Sequence, residues 1–256
     1  MAQEIKGFKF LATGIQATAL MICNPVFAST MWTSLPDCLR MILAGGSGAA
    51  VSFDVGRQQI FPLLNPVADQ INIYNTEKKL HLSILLDIFV GAEWTPNPDW
   101  ALQFGVGYDQ PSNYKIKGSF IQGTGFFKYN YEAITRQLLV EGKLLYQVKA
   151  GLHPYAFLGL GAGFNKAQDF NSNVPSSLTF TRINEDASKT SFSYSIGAGI
   201  DIDVARQVRL GIGYRFADFG GLRLGQALIN NAAVPGRLSQ PHLYTNLILA
   251  QISFLS

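Results

Sequence analysis

The chain has 256 residues, a formal net charge of +3, 48% hydrophobic side chains and only 14% charged ones, against about 25% charged in an ordinary soluble domain. Mean hydropathy is +0.15, yet beyond the N-terminus no apolar run reaches the roughly 18 residues that a spanning helix needs. Helical membrane bundles and nucleic-acid binding are thereby set aside. Only helices and closed barrels satisfy their backbone in lipid, so a β-barrel is the natural membrane architecture.

Residues 1–28 read as an export signal: Lys6 and Lys9, the apolar stretch FLATGIQATALMIC, then Val26-Phe27-Ala28 as a small-residue cleavage site before Ser29. The competing reading is a buried N-terminal helix. A lipoprotein signal at Cys23 is disfavoured by the bulky Ile22. Removing the signal leaves Cys38 as the one cysteine, which excludes an intramolecular disulfide. Residues 29–45 are expected to form a periplasmic lead-in or a short helix, and 46–256 the barrel domain.

Eight strands follow. The first, about 48–60, sets Val51, Phe53 and Val55 against Ser52, Asp54 and Gly56. The second, about 79–95, carries Leu80, Leu82, Ile84, Leu86, Ile88, Val90 and Trp94 on one face and His81, Ser83, Asp87, Gly91 and Glu93 on the other. After the TPNPD turn, the third places Leu102, Phe104, Val106 and Tyr108 opposite Ala101, Gln103, Gly105 and Gly107. The fourth, about 128–148, sets Leu138, Val140, Leu144 and Tyr146 against Gln137, Glu141, Lys143 and Gln147. The fifth, PYAFLGLGAGF, is apolar or glycine in both phases, so alternation assigns it no facing. FSYSIGAGIDIDVARQVRLGIGYRF is a hairpin of the sixth and seventh strands. In the eighth, Tyr244, Ile248, Ala250, Ile252 and Phe254 share a phase. Sustained period-2 alternation is the strand signal.

Turns after the second, fourth and sixth strands are short (95–99, 149–153, 205–207). Those after the first, third, fifth and seventh are long (61–78, 109–127, 165–190, 217–241). Outer-membrane barrels alternate in this way, and each apolar band has about the 9–11 residues needed to cross at a steep tilt. The expected fold is all-β: an eight-stranded antiparallel up-and-down transmembrane barrel with its apolar phase toward lipid.

Aromatics sit at strand ends in that phase: Trp94, Trp100, Tyr146 and Phe254 by the short turns, Tyr108, Phe216 and Tyr244 at the other end. They are the expected membrane-interface belts. The opposite phase offers Asp87, Glu93, Glu141, Lys143, Asp201, Asp203, Arg209 and Arg215 as lumen charges, which must pair to be tolerated inside. With a three-residue turn at 205–207, Val204 faces Val208 and Asp203 faces Arg209.

The strand and loop rhythm, the glycine-rich strands and the terminal YTNLILAQISF resemble small Gram-negative outer-membrane barrels, namely the OmpA transmembrane domain and the opacity-type porin family. The resemblance covers about 46–256. It implies location in the bacterial outer membrane, contact with outer-membrane lipid and lipopolysaccharide, and a charged lumen. It also implies recognition of the last strand by the barrel-insertion machinery, although here Leu255 and Ser256 follow the terminal Phe254. A monomer with no cofactor, and with a host or surface ligand at its long loops, is the corresponding expectation. The leading function is a non-catalytic structural or surface-interaction role. The alternatives are a narrow small-solute channel, an exported lipocalin-like lipid binder with its apolar phase inward, and a lipid A-modifying enzyme. For the last, His81-Leu82-Ser83 is the tempting constellation because His81 and Ser83 share a face, but nucleophilic catalysis also wants an orienting acid, and none can be named. No His, Cys, Asp or Glu group has metal-ligand spacing.

Overall fold

The computed structural model describes residues 38–53, 61–62, 71–77, 80–122, 125–148, 151–173, 186–226, 228–229, 232–233 and 237–256. The expected export signal, the first part of the lead-in and the 54–60 end of the expected first strand lie outside these residues.

Eight strands close an antiparallel ring: β1 (Leu39–Phe53), β2 (Leu80–Asn97), β3 (Trp100–Pro111), β4 (Gln137–Tyr146), β5 (Leu152–Ser172), β6 (Ala187–Ala205), β7 (Val208–Asp218) and β8 (Tyr244–Leu255). Each pairs with its chain neighbour, and β1 closes the ring on β8. Short turns and long connections fall at opposite ends, called here the turn end and the loop end. At the turn end, Asn97 Oδ1 accepts from the backbone N–H groups of Asp99 (3.1 Å) and Trp100 (3.0 Å), the local bond that favours Asn in turns. Gly151 takes a φ of 70° between β4 and β5, a conformation that costs glycine little.

The apolar phase points outward. Leu82, Val140, Phe192 and Ile212 are 77%, 69%, 67% and 60% exposed, while Asp87 and Asp201 on the other phase are 0% and 1%. The facing of β5 is also settled: His153, Tyr155 and Phe157 are buried, and Leu158, Leu160 and Phe164 are exposed.

Four expectations need correction. First, β1 begins at Leu39, so residues 39–45 belong to the barrel rather than to a lead-in. Alternation fails there because the inward phase is apolar too: Ile42 and Ala44 pack with Phe89 and Leu255. Second, 109–127 is not a loop. Asp109 still lies in β3, and the strands Tyr114–Gln122 and Gly125–Ile134 form a hairpin that prolongs β3 and β4 beyond the ring. This hairpin also pairs with the far end of β5 and with the strand Ile71–Thr76. Third, β5 and β6 run well into the expected 165–190 connection. Fourth, the β6–β7 turn has two residues: Ala205 faces Val208, with a register shift at Val204, and Asp203 still faces Arg209.

Along the hairpin the two faces exchange character. Below it, Leu138 and Val140 point out. Within it, Tyr129 and Tyr131 point in and lie 2% exposed, as does Phe120, while Lys115, Lys117 and Lys128 are exposed. These inward rings join Phe219, Leu222, Leu224, Leu238 and Leu243 from the β7–β8 connection in one buried apolar cluster. The short pair Leu222–Arg223 with Ser239–Gln240 ties the two arms of that connection together. Truncating Leu238 to Ala should therefore cost about 2–5 kcal/mol, the usual range for a buried leucine. It would appear as a lowered urea midpoint in vesicles, whereas Leu82→Ala on the outer face should cost clearly less.

Candidate functional site

The barrel interior is an ordered polar network beneath the apolar cluster. At the turn end Arg209 is the hub. Its Nη1 donates to Glu93 Oε2 at 2.6 Å and its Nε to Asp203 Oδ1 at 2.8 Å. Gln103 Nε2 donates to the same Glu93 oxygen at 2.8 Å, and His153 Nε2 lies 2.8 Å from Asp203 Oδ2. The Asp203 side chain is 38% exposed, so it stands at the mouth rather than in the core expected for it.

Midway, Lys143 Nζ donates to Asp201 Oδ2 at 2.6 Å and to Gln251 Oε1 at 3.4 Å. Gln251 passes the chain on, its Nε2 donating to Asp87 Oδ1 at 3.0 Å. Arg215 Nη1 closes on Asp87 Oδ2 at 2.9 Å. Both cations also cover rings: Lys143 Nζ is 3.8 Å from the Tyr155 centroid and Arg215 Cζ is 4.0 Å from that of Phe157, a favourable arrangement for a cation withdrawn from water. Glu141 lies against Gly107, where any β-carbon would collide with its carboxylate.

Toward the loop end, Asp109 is 3.9 Å from Arg215 and accepts from Gln137 Nε2 at 2.6 Å. Ser193 Oγ reaches Gln137 Oε1 at 2.6 Å. Asp218 receives the backbone N–H of Gly220 at 2.8 Å and contacts His242 Nδ1 at 2.7 Å. Among the described residues, the buried carboxylates Asp87, Glu93, Asp109, Glu141, Asp201 and Asp218 outnumber the buried cations Lys143, Arg209 and Arg215. Acidic side chains thus outnumber basic ones in the interior, and all three buried cations are committed to ion pairs.

The structure thus gathers seven of the eight sequence-predicted charges in the lumen, with Asp203 at its rim. Sequence reasoning gave no role to Asp109, His153, Tyr155, Phe157, Asp218 or Gln251. Asp109 was legible by extending the β3 alternation one step. The three β5 residues were not, since both phases of that strand are apolar or glycine.

The predicted interface aromatics lie on the outer wall. Trp94, Trp100, Tyr146 and Phe254 are exposed at the turn end, and the rings of Trp100 and Tyr146 are 4.7 Å apart. At the loop end a row of rings crosses β6, β7 and β8: Phe192 to Tyr194 (6.3 Å), Tyr194 to Phe216 (6.4 Å) and Phe216 to Tyr244 (5.7 Å). Tyr108 on β3 donates its hydroxyl to Gln110 at 2.6 Å. His81 and Ser83 face inward on β2; the His81 ring is 5.2 Å from that of Tyr114, and Ser83 Oγ donates to Ala50 at 3.5 Å.

Residues 47–234 match the model of the family described as outer membrane protein beta-barrel domain. The chain belongs to that family. Its barrel accordingly resides in the bacterial outer membrane. No curated protein matches the chain in sequence. Among solved structures it is similar to Neisserial surface protein A (12% identity, TM-score 0.42, covering 84% of this chain and 96% of that one). It is also similar to Ail of Yersinia pestis (11%, 0.39, 86% and 100%) and to OprG of Pseudomonas aeruginosa (12%, 0.46, 85% and 95%).

Removing one partner of a buried ion pair leaves the other uncompensated. Arg215→Met should accordingly lower unfolding stability in vesicles by about 3–5 kcal/mol, and adding Asp87→Asn should recover part of that loss. Additive losses in this double-mutant cycle would show that the 2.9 Å pair contributes no coupling.

Proposed function

We propose that the protein is a closed, non-conducting outer-membrane barrel that presents its projecting hairpin and long connections at the cell exterior for structural or surface interaction. The observation that carries this reading is the filled interior. Ion-paired layers occupy the turn half, and Phe219, Leu222, Leu224, Leu238 and Leu243 pack with the hairpin rings at the loop end. An eight-stranded barrel has room only for side chains. Short periplasmic turns and longer extracellular loops are the rule for such barrels, which directs the hairpin outward.

The partners follow from this orientation: outer-membrane lipid including lipopolysaccharide, the insertion machinery acting on β8, and a surface ligand at the hairpin. The absence of catalysis is part of the proposal. His153 and His242 each pair with a carboxylate, Asp203 and Asp218 respectively, but among the described residues neither bonds a serine, and the Ser83 hydroxyl is turned to a backbone carbonyl.

A planar-bilayer recording of the refolded protein should give no steady conductance. Large, stable, water-filled openings would replace this reading with that of a small-solute channel. Proteolysis of intact cells should cut within 61–78, 165–185 or 225–238 and spare the turns at 98–99 and 206–207; the reverse pattern would overturn the orientation.

A further inference from the structure

Where the outer wall changes from apolar to polar, it carries a built recess. In the row Leu138–Ala162–Phe192, set by the pairing of β4, β5 and β6, the outward side chains are apolar. One step toward the loop end the outward residues are Arg136, Phe164 and Thr190, with the Phe164 N–H donating to the Arg136 carbonyl at 2.7 Å. The next row is Ile134, Lys166 and Ser188. These six residues, with Asn165 and Lys189, line a cavity of about 310 Å³. The two rows stand about 7 and 13 Å beyond Leu138, at the 3.3–3.4 Å rise of a strand. Farther out, the same face carries exposed Lys128, Lys117 and Lys115.

Arg136 is exposed and has no ionic partner among the described residues. Lys166 Nζ donates to Gln168 at 2.8 Å and lies 3.5 Å from Asp186, an exposed pair of small energetic value. We propose that this recess binds the phosphorylated headgroup of an outer-leaflet lipid, its phosphate held by Arg136 and Lys166 with the Ser188 and Thr190 hydroxyls, and its acyl chains lying on Phe164, Phe192 and Leu138. A phosphate monoester carries a charge near −2 and three strong acceptor oxygens, and a guanidinium fork matches that geometry. The apolar row directly below selects an amphiphile, since a free phosphate gains nothing from Phe164 or Phe192. Asp186 weakens the site and tunes it. The inference rests on the proposed orientation, in which the loop end meets the outer leaflet.

The test uses the full chain refolded into phosphatidylcholine vesicles with and without diphosphorylated lipid A, reading the heat-unfolding midpoint from unboiled gel mobility. Lipid A should raise the wild-type midpoint. The Arg136→Gln/Lys166→Gln variant should need about tenfold more lipid A, or more, for the same protection, from the loss of charge-assisted bonds, and Asp186→Asn should need less. Equal protection of wild type and double variant would overturn the proposal. So would equal protection by dephosphorylated lipid A, or protection by inorganic phosphate alone, which would mark a solute-anion site. Folding of all variants in plain phosphatidylcholine, seen as the same gel shift, separates failure of this site from failure of the barrel itself.

Discussion

The structure depends on one constraint: the outer face of the wall changes from apolar to polar partway along the strands. The Gly125–Ile134 strand and β4 form a nearly continuous ribbon that shows it in one stretch of chain. Its odd residues point inward throughout, yet they are Tyr129, Tyr131 and Ala133 above and Gln137, Glu141 and Lys143 below. Its outward residues run Lys128, Asn130 and Glu132 above, then Leu138, Val140 and Leu144 below. Below the boundary the outer face takes the apolar side chains and the lumen takes the polar ones. Above it water takes the polar side chains, and the apolar ones must find each other.

The two interiors that result are different in kind. In the lumen, Lys143, Arg209 and Arg215 are each placed against a carboxylate, and Lys143 and Arg215 also against a ring. The Lys143–Asp201, Asp87–Arg215 and Glu93–Arg209 contacts join strands that are not ring neighbours, so the network braces the barrel across its width. Near the loop end the interior is an ordinary hydrophobic core, made from the hairpin and the β7–β8 connection. The polar network and the apolar cluster meet around Gln137, Ser193 and Asp218.

Much of this was legible in residue order, wherever one phase is apolar and the other is not. β2, β4, β6, β7 and β8 announced their facing, and with it Asp87, Glu93, Glu141, Lys143, Asp201, Arg209 and Arg215 as interior charges. Legibility failed where the contrast between phases fails. In Met41–Gly46 and in Pro154–Phe164 both phases are apolar or small, because an interior apolar patch or a close-packed ring sits behind the wall. The first strand of the hairpin was hidden for another reason: its alternation has the opposite polarity and its lysines resemble those of a surface loop, while residues 128–134 of the second strand read as the start of the fourth.

The sequence by itself determined the class of the molecule, the number of membrane strands and the outward phase of most of them. All of these follow from period-2 alternation and turn spacing, which are local. Tertiary structure alone decided which charges pair, since Arg209 with Glu93 and Arg215 with Asp87 are separated by more than a hundred positions in the chain. It also decided that the β7–β8 connection packs onto the hairpin, and that Arg136 and Lys166 line one recess. Those contacts exist only because ring closure brings distant strands into register around one axis, and no pattern along a single strand encodes that closure.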